Sequence, residues 1–241
     1  MFMTVNRVSF QVKQLSVFFP AYNEEGNIAT TTEKAIAVLK KLDLDDYEVI
    51  VVNDGSKDNT SKVAHELAKN NKHVKVIDQA NGGYGMALRA GFKNAKYDWI
   101  VYTDGDGQFD FSEITKFIEK AQDNDYIIGY RIKRNDPFYR LIFAKIWALS
   151  VFFLFWIWVR DIDGGFKMIN KNVLDKIPAL NSTRGAMINA ELLIKTKKYG
   201  FRIAQVGVHH YARMAGSPTG ASLKVIIRSY VELFRLWLKF H

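Results

Sequence analysis

The 241-residue chain contains no cysteine. That excludes disulfides and thiolate metal sites, and it permits a reducing compartment. Residues 1–13 carry Arg7 and Lys13 but no continuous apolar run, so no secretion signal is expected there. Without one, the glycosylation-like triplets Asn59-Thr-Ser and Asn181-Ser-Thr are chance matches. The sequence has no internal repeat and no low-complexity segment. Acidic residues are scarce in one half only. Residues 131–241 hold 6 Asp and Glu against 19 Lys and Arg, whereas residues 1–130 hold 19 against 15. The basic half implies an anionic partner: nucleic acid, a phospholipid surface or a phosphorylated substrate. It is also the more apolar and aromatic half, which favours a membrane and speaks against nucleic acid. The length suits one large domain, or a domain with an appendage.

The first half alternates apolar runs with helical patterns. Strands are predicted at Leu15–Phe19, Glu48–Val52, Val74–Ile77, Trp99–Tyr102 and Tyr126–Gly129, with helices near 26–42, 57–71, 83–95 and 112–122. In the first helix Ile28, Thr32, Ala35, Leu39 and Leu42 share a face, and Ser56 and Ser112 have the character of N-caps. The alternation predicts an α/β fold with a mostly parallel, Rossmann-like sheet and helices on both faces. Ligands of such sheets sit at the carboxyl ends of strands. Three groups fall there: Pro20-Ala-Tyr22-Asn-Glu24, Asn53-Asp54-Gly55-Ser56, and Asp104-Gly-Asp106-Gly-Gln108.

The last group carries the most chemistry. Successive strand residues point to opposite sides, so Asp104 and Asp106 converge on one ion only if the chain bends, and Gly105 and Gly107 permit the bend. Hard oxygen ligands with room for water suit Mg²⁺ or Mn²⁺ holding a diphosphate. A solvated acidic turn is the competing reading for two carboxylates alone. Asp54 is placed to accept from a base or ribose, and Tyr22 to stack on a base. Other motifs fail. Asn81-Gly-Gly-Tyr-Gly85 lacks both the third glycine of a dinucleotide loop and the Lys-Ser/Thr of a P-loop. Residues 104–115 begin like an EF-hand loop but have Phe109 and Thr115 where glycine and glutamate are needed. His209-His210 lacks ligand spacing and has a structural or surface reading.

Several segments in sequence resemble family 2 glycosyltransferases of the GT-A fold: Val17-Phe-Phe-Pro-Ala-Tyr-Asn-Glu24, Val52-Asn-Asp-Gly-Ser-Lys-Asp-Asn-Thr60, Asn81-Gly-Gly-Tyr-Gly-Met-Ala-Leu-Arg-Ala-Gly91 and Asp104-Gly-Asp106-Gly-Gln108. Gly129-Tyr-Arg131, Asp161-Ile-Asp-Gly-Gly-Phe-Lys167 and Arg213-Met-Ala-Gly-Ser217 are similar to elements of the dolichyl-phosphate mannose synthase and dolichyl-phosphate glucosyltransferase branch. The resemblance runs from about Leu15 to about Ser229. It implies a nucleotide-sugar donor, GDP-mannose or UDP-glucose, bound by Pro20, Tyr22, Glu24, Asp54 and Gly82. It also implies Mg²⁺ or Mn²⁺ on Asp104, Asp106 and Gln108. Arg131, Arg140 and Arg213 would face phosphates of donor or of a polyprenyl-phosphate acceptor, with Asp104, Asp106, Arg131 and Arg213 carrying the catalysis. Arg suits that task because its fork matches phosphate oxygens. The chain departs from the pattern at Tyr84 (Lys in the family), Tyr130 (Ser), Lys167 (Arg) and Pro218 (Lys).

An acceptor phosphate is already anionic, so it needs positioning more than a general base. Glu191 is the candidate base if the acceptor is a hydroxyl. The run Leu141–Val159, apolar except for Lys145 and Ser150, is near spanning length. By itself it fits a span, an interfacial or re-entrant helix, or a buried helix. The resembling motifs lie on both sides of it and must meet at one site, which favours the interfacial form. Residues 221–240 place Lys224, Arg228, Glu232, Arg235 and Lys239 at spacings of 4, 4, 3 and 4 among apolar residues, the pattern of a basic amphipathic helix on an anionic bilayer. A helix packed on the domain with one wet face is the alternative. The expected organisation is a catalytic domain over 1–220 and a membrane-surface helix over 221–241, peripheral or monotopic at the cytoplasmic face of a membrane, with no nucleic-acid partner.

Overall fold

The apolar runs of the first half pair side by side, and each is followed by a helix that packs back onto the sheet. The computed structural model describes residues 11–133, 138–183, 185, 187–213 and 223–240. In chain order the elements are β1 (Gln14–Ala21), α1 (Ile28–Leu39), β2 (Asp46–Asn53), α2 (Thr60–Asn70), β3 (Val74–Asp78), α3 (Tyr84–Asn94), β4 (Trp99–Tyr102), a 3₁₀ turn (Phe111–Glu113), α4 (Ile114–Ala121), β5 (Tyr126–Arg131), α5 (Phe138–Phe155), β6 (Lys167–Asn170), α6 (Lys171–Lys176), α7 (Met187–Lys198), β7 (Ile203–Val208) and α8 (Leu223–Phe240). All seven strands join one sheet in the order β3-β2-β1-β4-β6-β5-β7. β6 alone runs against its neighbours, β4 and β5; the other pairings are parallel.

The five predicted strands and four predicted helices of the first half are all present. β1 and β4 lie inside the sheet and are apolar almost throughout, as strands covered on both faces must be. Their side chains alternate between two cores. Phe18, Ile50, Val52, Ile100 and Tyr102 pack under α3, α5, α7 and α8. Val17, Phe19, Val49, Val51 and Val101 pack under α1, α2 and α4. Of the predicted α1 face, Ile28, Thr32, Ala35 and Leu39 are buried, and Leu42 packs half-buried beyond the helix end.

Neither predicted N-cap serine caps a helix. α2 begins at Thr60, four residues after Ser56. The Ser56 amide donates to Asn53 Oδ1 at 3.1 Å and its hydroxyl accepts from the Asn23 amide at 3.0 Å, so it joins two strand-end loops. Asp110 displaces Ser112: its carboxylate accepts from both the Ser112 amide (2.9 Å) and the Ser112 hydroxyl (2.6 Å).

The second half holds elements without a sequence signal. α7 buries ten of its twelve residues, so it has no polar stripe to reveal its period. β6 is four residues long. The apolar run 141–159 is helical only to Phe155. Trp147, Val151 and Phe155 enter the core, while Ile142, Phe143, Ile146, Leu149 and Phe153 stay exposed. α8 packs beside it, with Tyr230 edge-on to Trp147 at 5.2 Å, and exposes Ile227, Val231, Phe234 and Leu238. Among the described residues no helix is long and apolar enough to cross a membrane.

Candidate active site

The carboxyl ends of β1, β2, β4, β5 and β7 lie along one edge, and the predicted residues collect there. The first layer is a set of loops that hold one another. The Asp54 amide donates to Ala21 O at 2.9 Å, the Glu24 amide to Thr60 Oγ1 at 2.8 Å, and the Lys57 amide to Asn23 Oδ1 at 2.8 Å. These bonds fix Tyr22 and Glu24 beside Asp54. Both Asp54 oxygens have work inside the protein. One accepts from Gln79 Nε2 (2.6 Å) and the Gly82 amide (2.9 Å), and the other from the Gly83 amide (2.8 Å). Asp54 thus shapes the glycine-rich loop that precedes α3, and any bond to a donor uses the lone pairs that remain.

The acidic turn follows β4 directly. Gly107 takes φ +71°, open to glycine at little cost, and Gly105 approaches Pro20 O so closely that a Cβ would sit 3.0 Å from it. Asp104 faces Gly165, where a Cβ would lie 2.2 Å from Asp104 Oδ2. Burial, and then the charge of Asp106, push the Asp104 carboxyl up to about 6. Tyr84 meets Asp104 and Asn189 in the same dry region, and burial raises its hydroxyl well above the usual tyrosine range. Lys167, fully buried, donates to Gly164 O and, at 3.0 Å, to Asn189 Oδ1. Burial brings this ammonium down to about 8 against the pull of Asp163, Asp161 and Asp104. The two departures from the family pattern, Tyr84 and Lys167, therefore share Asn189 as a partner. Asn189 was not singled out from the sequence, because it lies on the uniformly buried α7.

Gln108, expected as a metal ligand, also joins two segments of the chain. Its side-chain amide donates to Tyr211 O at 2.8 Å, and the Tyr211 amide returns a bond to Gln108 O, also 2.8 Å. Phe109 and His210 continue the pairing as a β-bridge. This clip delivers Arg213 to the site. Arg213 Nη1 donates to Glu24 Oε1 at 2.9 Å and Nη2 to Asp106 Oδ2 at 2.8 Å. Glu24 is raised, chiefly by burial, with Asn27 and Arg213 opposing. His209, read from the sequence as structural or on the surface, meets Glu113 through its backbone amide (2.7 Å) and Nδ1 (2.9 Å).

Arg131 is paired within the protein. Its Nε and Nη2 grip the Asp161 carboxylate at 2.7 and 3.1 Å. The partner was visible in the Asp161-to-Lys167 motif, but the pairing was not. Arg140 falls outside the residues whose side chains are described. Glu191 is unsuited to act as a base: it is buried, accepts from the Asn181 and Ser182 amides, and is paired with Lys195 Nζ at 2.6 Å. Despite burial, those bonds hold its carboxyl below the usual range.

Residues 16–178 match the model of glycosyl transferase family 2. The chain belongs to that family. It is similar to human dolichyl-phosphate beta-glucosyltransferase, with 32% identity over 218 residues, covering 82% of this chain and 67% of the human one. It is also similar to undecaprenyl-phosphate 4-deoxy-4-formamido-L-arabinose transferase of Proteus mirabilis, with 32% identity over 139 residues, 56% of this chain and 42% of that protein. In three dimensions it matches glucosyl-3-phosphoglycerate synthase of Mycobacterium tuberculosis, solved with Mg²⁺ and uridine diphosphate. The TM-score is 0.69 at 19% identity, over 91% of this chain and 79% of that one. That likeness fixes the fold as GT-A. The chain is accordingly a family 2 glycosyltransferase, and the edge that carries Glu24, Asp54, Asp104 and Asp106 is its candidate active site.

Proposed function

We propose that this glycosyltransferase moves a hexose from a nucleotide sugar to the phosphate of a polyprenyl phosphate, with inversion at the anomeric carbon. The observation that carries the reading is the cation-shaped place among the carboxylates, where a guanidinium bridges Glu24 and Asp106. Two like charges so close need a positive group between them. The donor set is oxygen only, as Mg²⁺ or Mn²⁺ requires. Among the described residues no three Asp, Glu or His side chains close on one point. The protein would offer Asp104, Asp106 and the Gln108 side-chain oxygen, and the remaining positions would go to diphosphate and water. When bound, such an ion neutralises the charge of the departing nucleoside diphosphate.

The chain's own residues do the rest. Tyr22, Pro20 and the Asp54-shaped loop with Gly82 line the place for the nucleotide, and Arg213 offers its fork to phosphate. Arg131, held in place by Asp161, would bring positive charge to the acceptor side. A phosphate acceptor attacks without losing a proton. That agrees with Glu191, the candidate base for a hydroxyl acceptor, being locked by Lys195 and two amides. The human relative is named for a β-linked glucose on dolichyl phosphate. From an α-linked nucleotide sugar a β product needs one displacement, and the glucose in the relative's name supports UDP-glucose over GDP-mannose as donor.

The acceptor's chain requires a membrane. The exposed apolar faces of α5 and α8, flanked by Arg228, Arg235 and Lys239, support a peripheral or monotopic seat in which residues 221–241 lie on the surface and residues 1–220 form the catalytic part. The test is transfer from labelled UDP-glucose or GDP-mannose to polyprenyl phosphate or to a lipid-linked saccharide. Label on the polyprenyl phosphate supports the proposal. Label on a saccharide alone moves the acceptor to a hydroxyl, and no transfer to any acceptor leaves a non-catalytic sugar-nucleotide binder.

A further inference from the structure

Arg213 sits on Asp106, one of the two carboxylates proposed to take the metal, and the contact is built. Three features hold it there: the two hydrogen bonds between Gln108 and Tyr211, the Phe109–His210 bridge, and the two-pronged guanidinium contact at 2.9 and 2.8 Å. Arg213 is about one-fifth exposed, and Glu24 and Asp106 less than a tenth. In so dry a setting neither carboxylate is content without a cation, and an ion pair there is screened little by salt. Arginine cannot give up its charge to make way. A divalent ion and this guanidinium therefore compete for the same Asp106 oxygen.

We infer that Arg213 is an internal counter-ion that occupies Asp106 until the donor arrives, so that the diphosphate and the metal load together. The diphosphate gives the guanidinium a second anionic partner of higher charge, to which its fork can transfer. Asp106 is thereby freed for the metal, and Glu24 exchanges its ion pair for contact with the nucleotide side of the site. No bond is made or broken; the device is an exchange of ionic partners. It rests on the metal reading given above. Its consequence is thermodynamic: nucleotide raises metal affinity, metal raises nucleotide affinity by the same factor, and part of that coupling resides in Arg213.

The test is Mn²⁺ binding, read by the loss of the free-ion electron paramagnetic resonance signal, with no sugar and no turnover. Wild type should bind Mn²⁺ weakly alone and at least about tenfold more tightly with UDP. Arg213→Gln should bind Mn²⁺ alone about tenfold more tightly than wild type, and UDP should add less. Arg213→Lys keeps the charge but cannot bridge both carboxylates, so it should fall between the two. If Arg213→Gln binds Mn²⁺ no better than wild type, the counter-ion role is wrong while the metal site stands. If Arg213→Lys matches wild type and only Arg213→Gln tightens, the bridging contact is not what competes, and the proposal is likewise overturned. If neither protein takes up Mn²⁺ with UDP, the metal reading falls and the inference with it. Should Arg213→Gln fail to fold, the Arg213→Lys comparison alone decides, no tightening over wild type overturning the role.

Discussion

Asp104 pays for its position in stability. Its carboxyl loses a proton only near pH 6 in the folded protein, against about 4 in an unfolded chain. Between those values the native state holds more protons, so the stability it contributes falls as pH rises from about 4 to about 6 and stays lowered above. Asparagine copies the protonated form. Asp104→Asn should therefore raise the melting temperature of the metal-free protein at pH 7, by on the order of 1–2 kcal/mol of stability, with no gain near pH 4. It should also abolish transfer. Calorimetric melts at both pH values check the sign. Gly165 guards the same carboxylate. A methyl there falls within 2.2 Å of Asp104 Oδ2, so the side chain must swing away. Gly165→Ala should keep its fold and lose roughly 10²-fold in kcat/KM, the scale expected when a reacting group is misplaced by about an ångström. At this scale the sequence was partly legible. The residue types of the site, Glu24, Asp54, Asp104 and Asp106, could be read from strand ends. Their partners could not: Gln108 spends its amide on Tyr211, and Arg131 its fork on Asp161. Those contacts join residues tens of positions apart and leave no local pattern.

Elements were legible where burial has a period. β1, β2 and β4 are apolar runs closed by polar turns, and α1 repeats its apolar face every three or four residues. α7 is buried all round and β6 is too short, so neither had a signal. α5 and α8 were readable as apolar and as basic-amphipathic, yet their pairing was not. Together they leave Phe153 66%, Ile227 57% and Phe234 52% exposed, with the core contacts of each helix made by other residues. Replacing these three by serine should leave the melting temperature within a degree or two and weaken vesicle binding strongly. At about 1–2 kcal/mol for each large side chain immersed, the partition coefficient should fall by at least about 10²-fold. Co-sedimentation with vesicles containing anionic lipid measures it. Unchanged binding would remove both helices from the membrane surface.

Across the whole molecule, charge and topology agree. The acidic first half supplies the strand ends that hold carboxylates, and the basic second half supplies Arg213 and the cations of α8. The order β3-β2-β1-β4-β6-β5-β7 sets β4 at the centre, so the Asp104–Asp106 turn lies between the loops of β1 and β2 on one side and those of β5 and β7 on the other. The donor reading draws on the first group and the acceptor reading on the second. The most direct measurement is the mass and amount of lipid product formed from a nucleotide hexose and polyprenyl phosphate, by wild type with and without EDTA and by Asp106→Ala. The account predicts a polyprenyl monophosphate carrying one hexose, formed by wild type, abolished by EDTA and absent with a folded Asp106→Ala protein. The same product at an unchanged rate in EDTA or from Asp106→Ala, or a lipid product with the hexose on a hydroxyl, would contradict it.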